Sequence, residues 1–215
     1  MSTSYKWVLA SRNPGKVREF QAWAKPWGID LIAAPDLALP EVDEPYATFL
    51  ENALHKARVI SKLTGLPTLA DDSGLCVPAL GGKPGVYSAR FAGEPSDDAR
   101  NNRALLEAMR GLEDRRAYYY AILVMCEHAD DPQPCIAQGE WWGRIAEAPN
   151  GKGGFGYDPI FFDEAAGLTA AQLPSAAKRA RSHRGKALND LERLLVARYG
   201  ISQVPVVSSL LVEAG

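Results

Sequence analysis

The chain has 215 residues, 47% of them hydrophobic and 23% charged, with a formal net charge of −2. This is the composition of a globular protein with enough length for a sizeable core. It excludes bulk electrostatic binding to DNA or RNA, so no stable nucleic-acid partner is expected and any phosphate site must be a local cluster. The N-terminus lacks a leader pattern and no apolar run approaches about 18 residues, so no membrane association is expected and the expected location is cytoplasmic. Cys76, Cys126 and Cys135 have no metal-like spacing and read as buried reduced thiols. A Cys126–Cys135 bridge across a hairpin is disfavoured in a cytosolic protein.

Tyr5 to Ala10 reads as a first strand. Ser11-Arg12-Asn13-Pro14-Gly15-Lys16 then turns into a helix running to about Lys25, with Asn13 as N-cap and Pro14 as first helical residue. The N–H groups and positive dipole end of such a helix attract phosphate, and Lys16 stands one turn in. Plain capping with a solvated lysine explains the same residues. Ile29 to Ala33 is a second strand, and Pro35 to Pro45 an acidic loop containing proline. Thr48 to Leu63 is a helix: Phe49, Leu50, Ala53, Leu54, Ala57, Ile60 and Leu63 repeat at helical spacing. Thr48 and Glu51 form a capping box, so Glu51 is either the cap partner or an acid near a metal. On the helix alone, Lys56 reads as a surface lysine and His55 as an exposed residue.

Leu69-Ala70-Asp71-Asp72-Ser73-Gly74-Leu75 is the most informative stretch. An apolar run from Leu66 to Ala70 delivers two carboxylates and a hydroxyl, as a strand does when its C-terminal end carries ligands. Two adjacent aspartates repel, which calls for a cation or hydrogen-bond donors nearby. Mg²⁺ suits such oxygens and shares itself with substrate phosphates. A β-turn or helix N-cap fits the same residue types. Leu75 to Leu80 continues as extended chain, Gly81 to Gly85 is a tight turn, and Arg90 is a candidate phosphate or structural cation.

Asp97 to Arg110 is an amphipathic helix capped by Ser96 or Asp97. Ala117 to Glu127 gives the strongest strand signal, and Cys135 to Ile145 returns beside it after Asp130-Asp131-Pro132 as a long hairpin. His128 lies near its tip, and Trp141 and Trp142 alternate faces. Gly151 to Gly156 holds four glycines around Phe155, a loop that permits close backbone approach to a ligand. Phe155 is a candidate base-stacking platform with Asp158 as a polar reader, or else a core plug. Pro174 to Tyr199 is a long helical segment with a basic first part and a local break at Ser182-His183-Arg184-Gly185. Lys178 and Arg184 are either a solvated stripe or an anion site. Residues 201–215 form an apolar tail without an assigned role.

Carboxylates, a helix N-terminus with lysine, a glycine loop with an aromatic, and a basic segment are together what a nucleoside triphosphate needs. The chain resembles the inosine/xanthosine triphosphate pyrophosphatase family, which converts aberrant purine nucleotides to the monophosphate and pyrophosphate. The matching motifs are Ser11 to Glu19, Phe49 to Ala53, Leu69 to Leu75, Gly153 to Pro159 and Ser182 to Gly185, in family order. The resemblance implies an α/β fold: an elongated mixed central sheet with flanking helices, forming two lobes around a nucleotide cleft, as one domain over residues 1–200. It also implies a homodimer and Mg²⁺ dependence.

By motif position Asp72 is implied as general base and metal ligand, with Glu51 a second metal-site acid. Ser73 and the run Ser11, Arg12, Asn13, Pro14, Gly15, Lys16 are implied to hold the triphosphate. Lys56, Phe155, Gly156, Tyr157, Asp158, Lys178, His183 and Arg184 complete the implied substrate set. Two departures stand out. Arg12 replaces a small residue, and the segment before Lys178 lacks the usual acids. An aspartyl-phosphate phosphatase is the rival enzyme, but it expects Asp-x-Asp; a nucleotide-sensing or RNA-binding module with degenerate acids is the rival of another class.

Overall fold

The computed structural model of the protein describes residues 5–200; the expectation for residues 201–215 lies outside them. One seven-stranded sheet has the order β2-β1-β3-β4-β5-β6-β7. Its strands are β1 (Tyr5–Leu9), β2 (Ile29–Ala33), β3 (Thr68–Cys76), β4 (Arg116–Cys126), β5 (Cys135–Ile145), β6 (Phe161–Asp163) and β7 (Leu168–Thr169). The helices are α1 (Pro14–Ala24), α2 (Phe49–Thr64), α3 (Asp98–Ala108), α4 (Ser175–Arg181) and α5 (His183–Tyr199). The connections carrying α1 and α2 make β1 parallel to both β2 and β3, as crossover helices do. From β3 onward every pairing is antiparallel. The result is the mixed α/β sheet with flanking helices expected from the sequence.

The first correction concerns the acids. Asp71 and Asp72 stand in the middle of a nine-residue strand, not at its tip and not in a turn. Strand β4 pairs with β3 along its whole length, from Thr68–Cys126 to Cys76–Tyr118. Strand β1 pairs with β3 only through Val8–Thr68 and Leu9–Leu69. The acids therefore sit just past the end of β1, where one backbone edge of β3 is released from the sheet.

Helices α1 and α5 pack on one face through Phe20, Trp23, Leu188, Leu191 and Leu195. Buried side chains of this kind contribute about 1.5–3 kcal/mol each, which holds α5 firmly on the sheet. Helix α2 covers the other face with Ala53, Ala57 and Ile60. A third cluster around Leu105, Met109, Trp141 and Phe161 carries α3 and the short strands. Trp141 is 3% and Trp142 52% exposed, the alternation expected of adjacent strand residues. Cys76, Cys126 and Cys135 are buried free thiols.

The break expected in the 174–199 segment is present: Ser182 leaves helical geometry and its side chain caps the Gly185 amide of α5, giving two helices. Two local readings change. After Cys76 the chain does not stay extended but makes a 3-10 turn at Pro78–Leu80. The 35–45 loop begins inside a 3-10 turn at Ala34–Leu37, where Pro35 fits the first turn.

Candidate functional site

A cleft of about 330 Å³ opens where β1 ends and β3 continues. It draws together Ser11, Arg12, Asn13, Lys16, Lys56, Asp71, Asp72, Ser73, Phe155 to Asp158, Lys178, His183 and Arg184. These come from five separated segments of the sequence. Among the sequence-derived residues, Pro14, Gly15 and Glu51 do not line it.

The pleat of β3 separates the two aspartates. Successive strand side chains point to opposite faces, so Asp71 meets α1 and α5 while Asp72 meets α2. Asp71 pairs with Lys16 and with Arg184 Nε at 3.3 Å. Burial works against its ionisation, but Lys16 and Arg184 outweigh it and hold the carboxyl well below the usual carboxylate range. Asp72 pairs with Lys56 Nζ at 3.3 Å. There burial dominates, Glu44 and Asp71 reinforce it against the pull of Lys56, and the carboxyl is pushed up to about 6.

Lys56 itself moves the way an ion pair predicts: burial opposes its charge, but Asp72 and Glu44 prevail and its pKa is raised. The two partners differ because Lys56 is shared. It also pairs with Glu44 and donates to the released Asp71 carbonyl at 2.8 Å. Asp72 keeps one buried oxygen, Oδ2, with no hydrogen-bond partner.

The surface-lysine reading of Lys56 is thus overturned: it is 7% exposed, on the same face of α2 as Asn52, Ala53, Ala57 and Ile60. His55 is half-buried against Tyr46 rather than exposed. Glu51 is the cap partner: its amide donates to Thr48 Oγ1 and its carboxylate accepts from that hydroxyl at 2.6 Å. The acid beside Asp72 and Lys56 is Glu44, from the 35–45 loop, which sequence reasoning missed. Arg90 lies 3.9 Å from the same Glu44.

At the start of α1, Asn13 Oδ1 accepts from the Gly15 and Lys16 amides, so two of the exposed helix donors are already capped. Arg12 reaches the Leu39 carbonyl at 2.7 Å and ties this turn to the acidic loop. A Cβ at Gly15 would lie 3.0 Å from the Phe155 ring, so glycine lets that ring pack against the turn. Phe155 is half-buried, with Lys178 Nζ 5.1 Å and Arg184 Cζ 5.8 Å from its centroid. Lys178 pairs with Asp158, and Asp158 Oδ2 accepts from the Phe155 amide at 2.8 Å. Tyr157 is turned into the core and donates to the Ser88 carbonyl at 2.8 Å. Gly156 is held by α3: its amide donates to Asp98 at 2.7 Å and its carbonyl accepts from Asn102 at 2.9 Å.

The first turn of α5 supplies His183 and Arg184, both buried. Arg184 spends three of its five N–H donors on Asp71, Glu19 at 2.8 Å and Ser73 at 3.0 Å. His183 stacks flat on Tyr119, and its Nδ1 has no partner. Burial, reinforced by the Arg184 charge, holds its pKa well below 6.5, so the ring is neutral. A histidine whose folded-state pKa is depressed supports folding fully above its unfolded pKa and less as pH falls below it. Between about pH 7.5 and about pH 5.5 the wild-type chain should lose about 1.4 kcal/mol more unfolding free energy than His183→Gln. Urea titrations of both at the two pH values measure this; equal losses would show that His183 protonates freely in the folded state.

Cations, carboxylates and an aromatic face converging on one cleft define an α/β protein built to hold a polyanion that carries a planar ring. The chain belongs to the Ham1 family, whose model matches residues 7–194. It is 58% identical over 196 residues to a protein of Burkholderia pseudomallei named dITP/XTP pyrophosphatase, covering 90% of this chain and 92% of that one. It is 53% identical over 201 residues to one of the same name from Nitrosomonas europaea, covering 94% and 99%. The structure of a HAM1 protein from Coxiella burnetii superposes with a TM-score of 0.85 at 43% identity, over 90% of this chain and 99% of that one. Among the described residues no helix is long and apolar enough to cross a membrane.

Proposed function

We propose that this chain hydrolyses aberrant purine nucleoside triphosphates, ITP, dITP and XTP, to the monophosphate and pyrophosphate, keeping deaminated purines out of nucleic acids. Relatives above 50% identity that carry the name dITP/XTP pyrophosphatase support the substrate class. The observation in the cleft that carries the chemistry is the buried, unpartnered Oδ2 of Asp72. A carboxylate oxygen in that state is poised for a cation or for the proton of a water.

The site fits Mg²⁺, since the buried Asp72 Oδ2 has no hydrogen-bond partner and Glu44 brings a second carboxylate to the same lysine. Asp72 and Glu44 would hold the ion, Glu44 taking the part that the sequence suggested for Glu51. Two carboxylates suffice for an ion that otherwise uses waters and substrate phosphates. When bound, it neutralises charge on the phosphates. Asp72 takes the proton of the attacking water, whose oxygen bonds to the α-phosphorus as the bond to the bridging oxygen breaks and pyrophosphate leaves. Lys16, beside Asp71, offsets the charge on the leaving group, and the Ser73 hydroxyl donates to the same Asp71 carboxylate at 3.2 Å. Phe155 offers a face for the base.

Selectivity follows from hydrogen bonding. Hypoxanthine and xanthine present an acceptor at O6, adenine an amino donor. Neutral His183, backbone N–H groups and the two Arg184 N–H groups not spent on Asp71, Glu19 and Ser73 are the available donors. A site of this kind discriminates by as much as ~10⁴-fold. The cytoplasm, where the nucleotide pool lies, is the expected location and a homodimer the expected assembly, which light scattering measures. The function is tested by pyrophosphate release from ITP, dITP, XTP, GTP and ATP with and without Mg²⁺. Fast Mg²⁺-dependent release from the first three is expected; equal rates on all five, or orthophosphate as product, would defeat it.

A further inference from the structure

Tyr119 is a buried residue of β4 that touches two groups of the base-binding end of the cleft without belonging to any motif. Its hydroxyl donates to Asp158 Oδ1 at 3.3 Å. Its ring stacks on His183 with centroids 4.7 Å apart and planes 8° from parallel. Asp158 passes the contact on, since its other oxygen accepts from the Phe155 amide and pairs with Lys178.

The glycine loop is therefore held from two sides. Helix α3 grips Gly156 through Asp98 and Asn102. Among the described residues, the Phe155 amide is held by the Asp158 carboxylate, whose one oxygen Lys178 pairs with and whose other Tyr119 holds from below. We propose that Tyr119 is a positioning residue for the purine ring, fixing Phe155 through Asp158 and His183 through the stack, so that the two sides of the base site keep one geometry. Burial raises the phenol well above its ordinary value, so the hydroxyl remains a donor throughout. Without it Asp158 Oδ1 loses its hydroxyl donor, and the carboxylate that carries the Phe155 amide is left with Lys178 as its side-chain partner.

The proposal rests on the purine triphosphate reading, and its test separates the two. Tyr119→Phe keeps the stack and removes the hydroxyl; Tyr119→Leu removes both. Tyr119→Phe is expected to raise KM for ITP about tenfold, because the loop carrying Phe155 must then be ordered on binding, while kcat stays within about twofold. Inhibition by inorganic tripolyphosphate, which has no ring, should be unchanged in the same variant. Tyr119→Leu should raise KM further and also lower the preference for ITP over ATP. Calorimetric titration with IMP, well below the melting transition, reports the same ratio without turnover, so a lowered Tm does not remove the test. An unchanged KM for ITP in Tyr119→Phe, or an equal weakening of tripolyphosphate inhibition, would overturn the role of Tyr119 alone. Wild-type enzyme that releases no pyrophosphate from ITP would overturn both.

Discussion

Asp72→Asn is expected to lower kcat for ITP about 10³-fold while leaving the fold intact. The size follows from removing the proton acceptor, a contribution of about 10²–10⁴ in rate. The fold survives because the carboxyl is already disfavoured as an anion: burial pushes it up to about 6. Lys56 keeps Glu44 and the Asp71 carbonyl as partners, so the substitution strands no buried cation. Single-turnover pyrophosphate release, with Tm measured alongside, checks both halves. A rate within a few-fold of wild type would rule Asp72 out as the base, and a collapsed Tm would mean that its charge is structural.

The second large effect is steric. Gly139 on β5 lies beneath the first turn of α5. A Cβ there would come within 2.7 Å of the Ala187 amide nitrogen and closer still to the His183 carbonyl oxygen. Both are backbone atoms, so no rotamer change relieves the clash. Gly139→Ala must lift the helix start off the sheet at a cost of about 1–3 kcal/mol, towards the upper end because backbone has to move. The same displacement carries His183 and Arg184 away from the cleft, so kcat/KM for ITP should fall with stability. Urea unfolding and steady-state kinetics on one preparation measure the pair. Wild-type stability in Gly139→Ala would show that α5 is not seated as tightly as the contact implies.

The features legible in the sequence are those written in local pattern. Asn13 and Pro14 announce the start of α1, Thr48 and Glu51 that of α2, and Ser182 the break before α5. The hairpin of β4 and β5 follows from aromatic and β-branched runs on either side of Asp130-Asp131-Pro132. The position of Asp71 and Asp72 inside β3 was hidden because Asp, Ser and Gly are poor strand residues, and only pairing with the distant β4 keeps them extended. Lys56 was readable in part: it falls three residues after Ala53 and four before Ile60, on the buried face, but its identity outweighed its place. Glu44 lies in a loop without periodicity, and nothing local marks it. For Tyr119, strand alternation gives the face, while its partner Asp158 is 39 residues away and set by tertiary packing alone.

The pairing of Lys16 with Asp71, Lys178 with Asp158, Lys56 with Glu44 and Asp72, and Arg184 with Glu19 and Asp71 has a kinetic consequence. With Arg12, five cations face seven carboxylates around the cleft, so it exerts little long-range pull on a polyphosphate. Encounter with nucleotides is then unsteered and weakly dependent on ionic strength, and the choice between them falls to how long each one stays. In a pool crowded with ATP, an enzyme that captured every triphosphate would spend its time occupied by the wrong one; a self-neutralised cleft stays vacant for the rare damaged molecule.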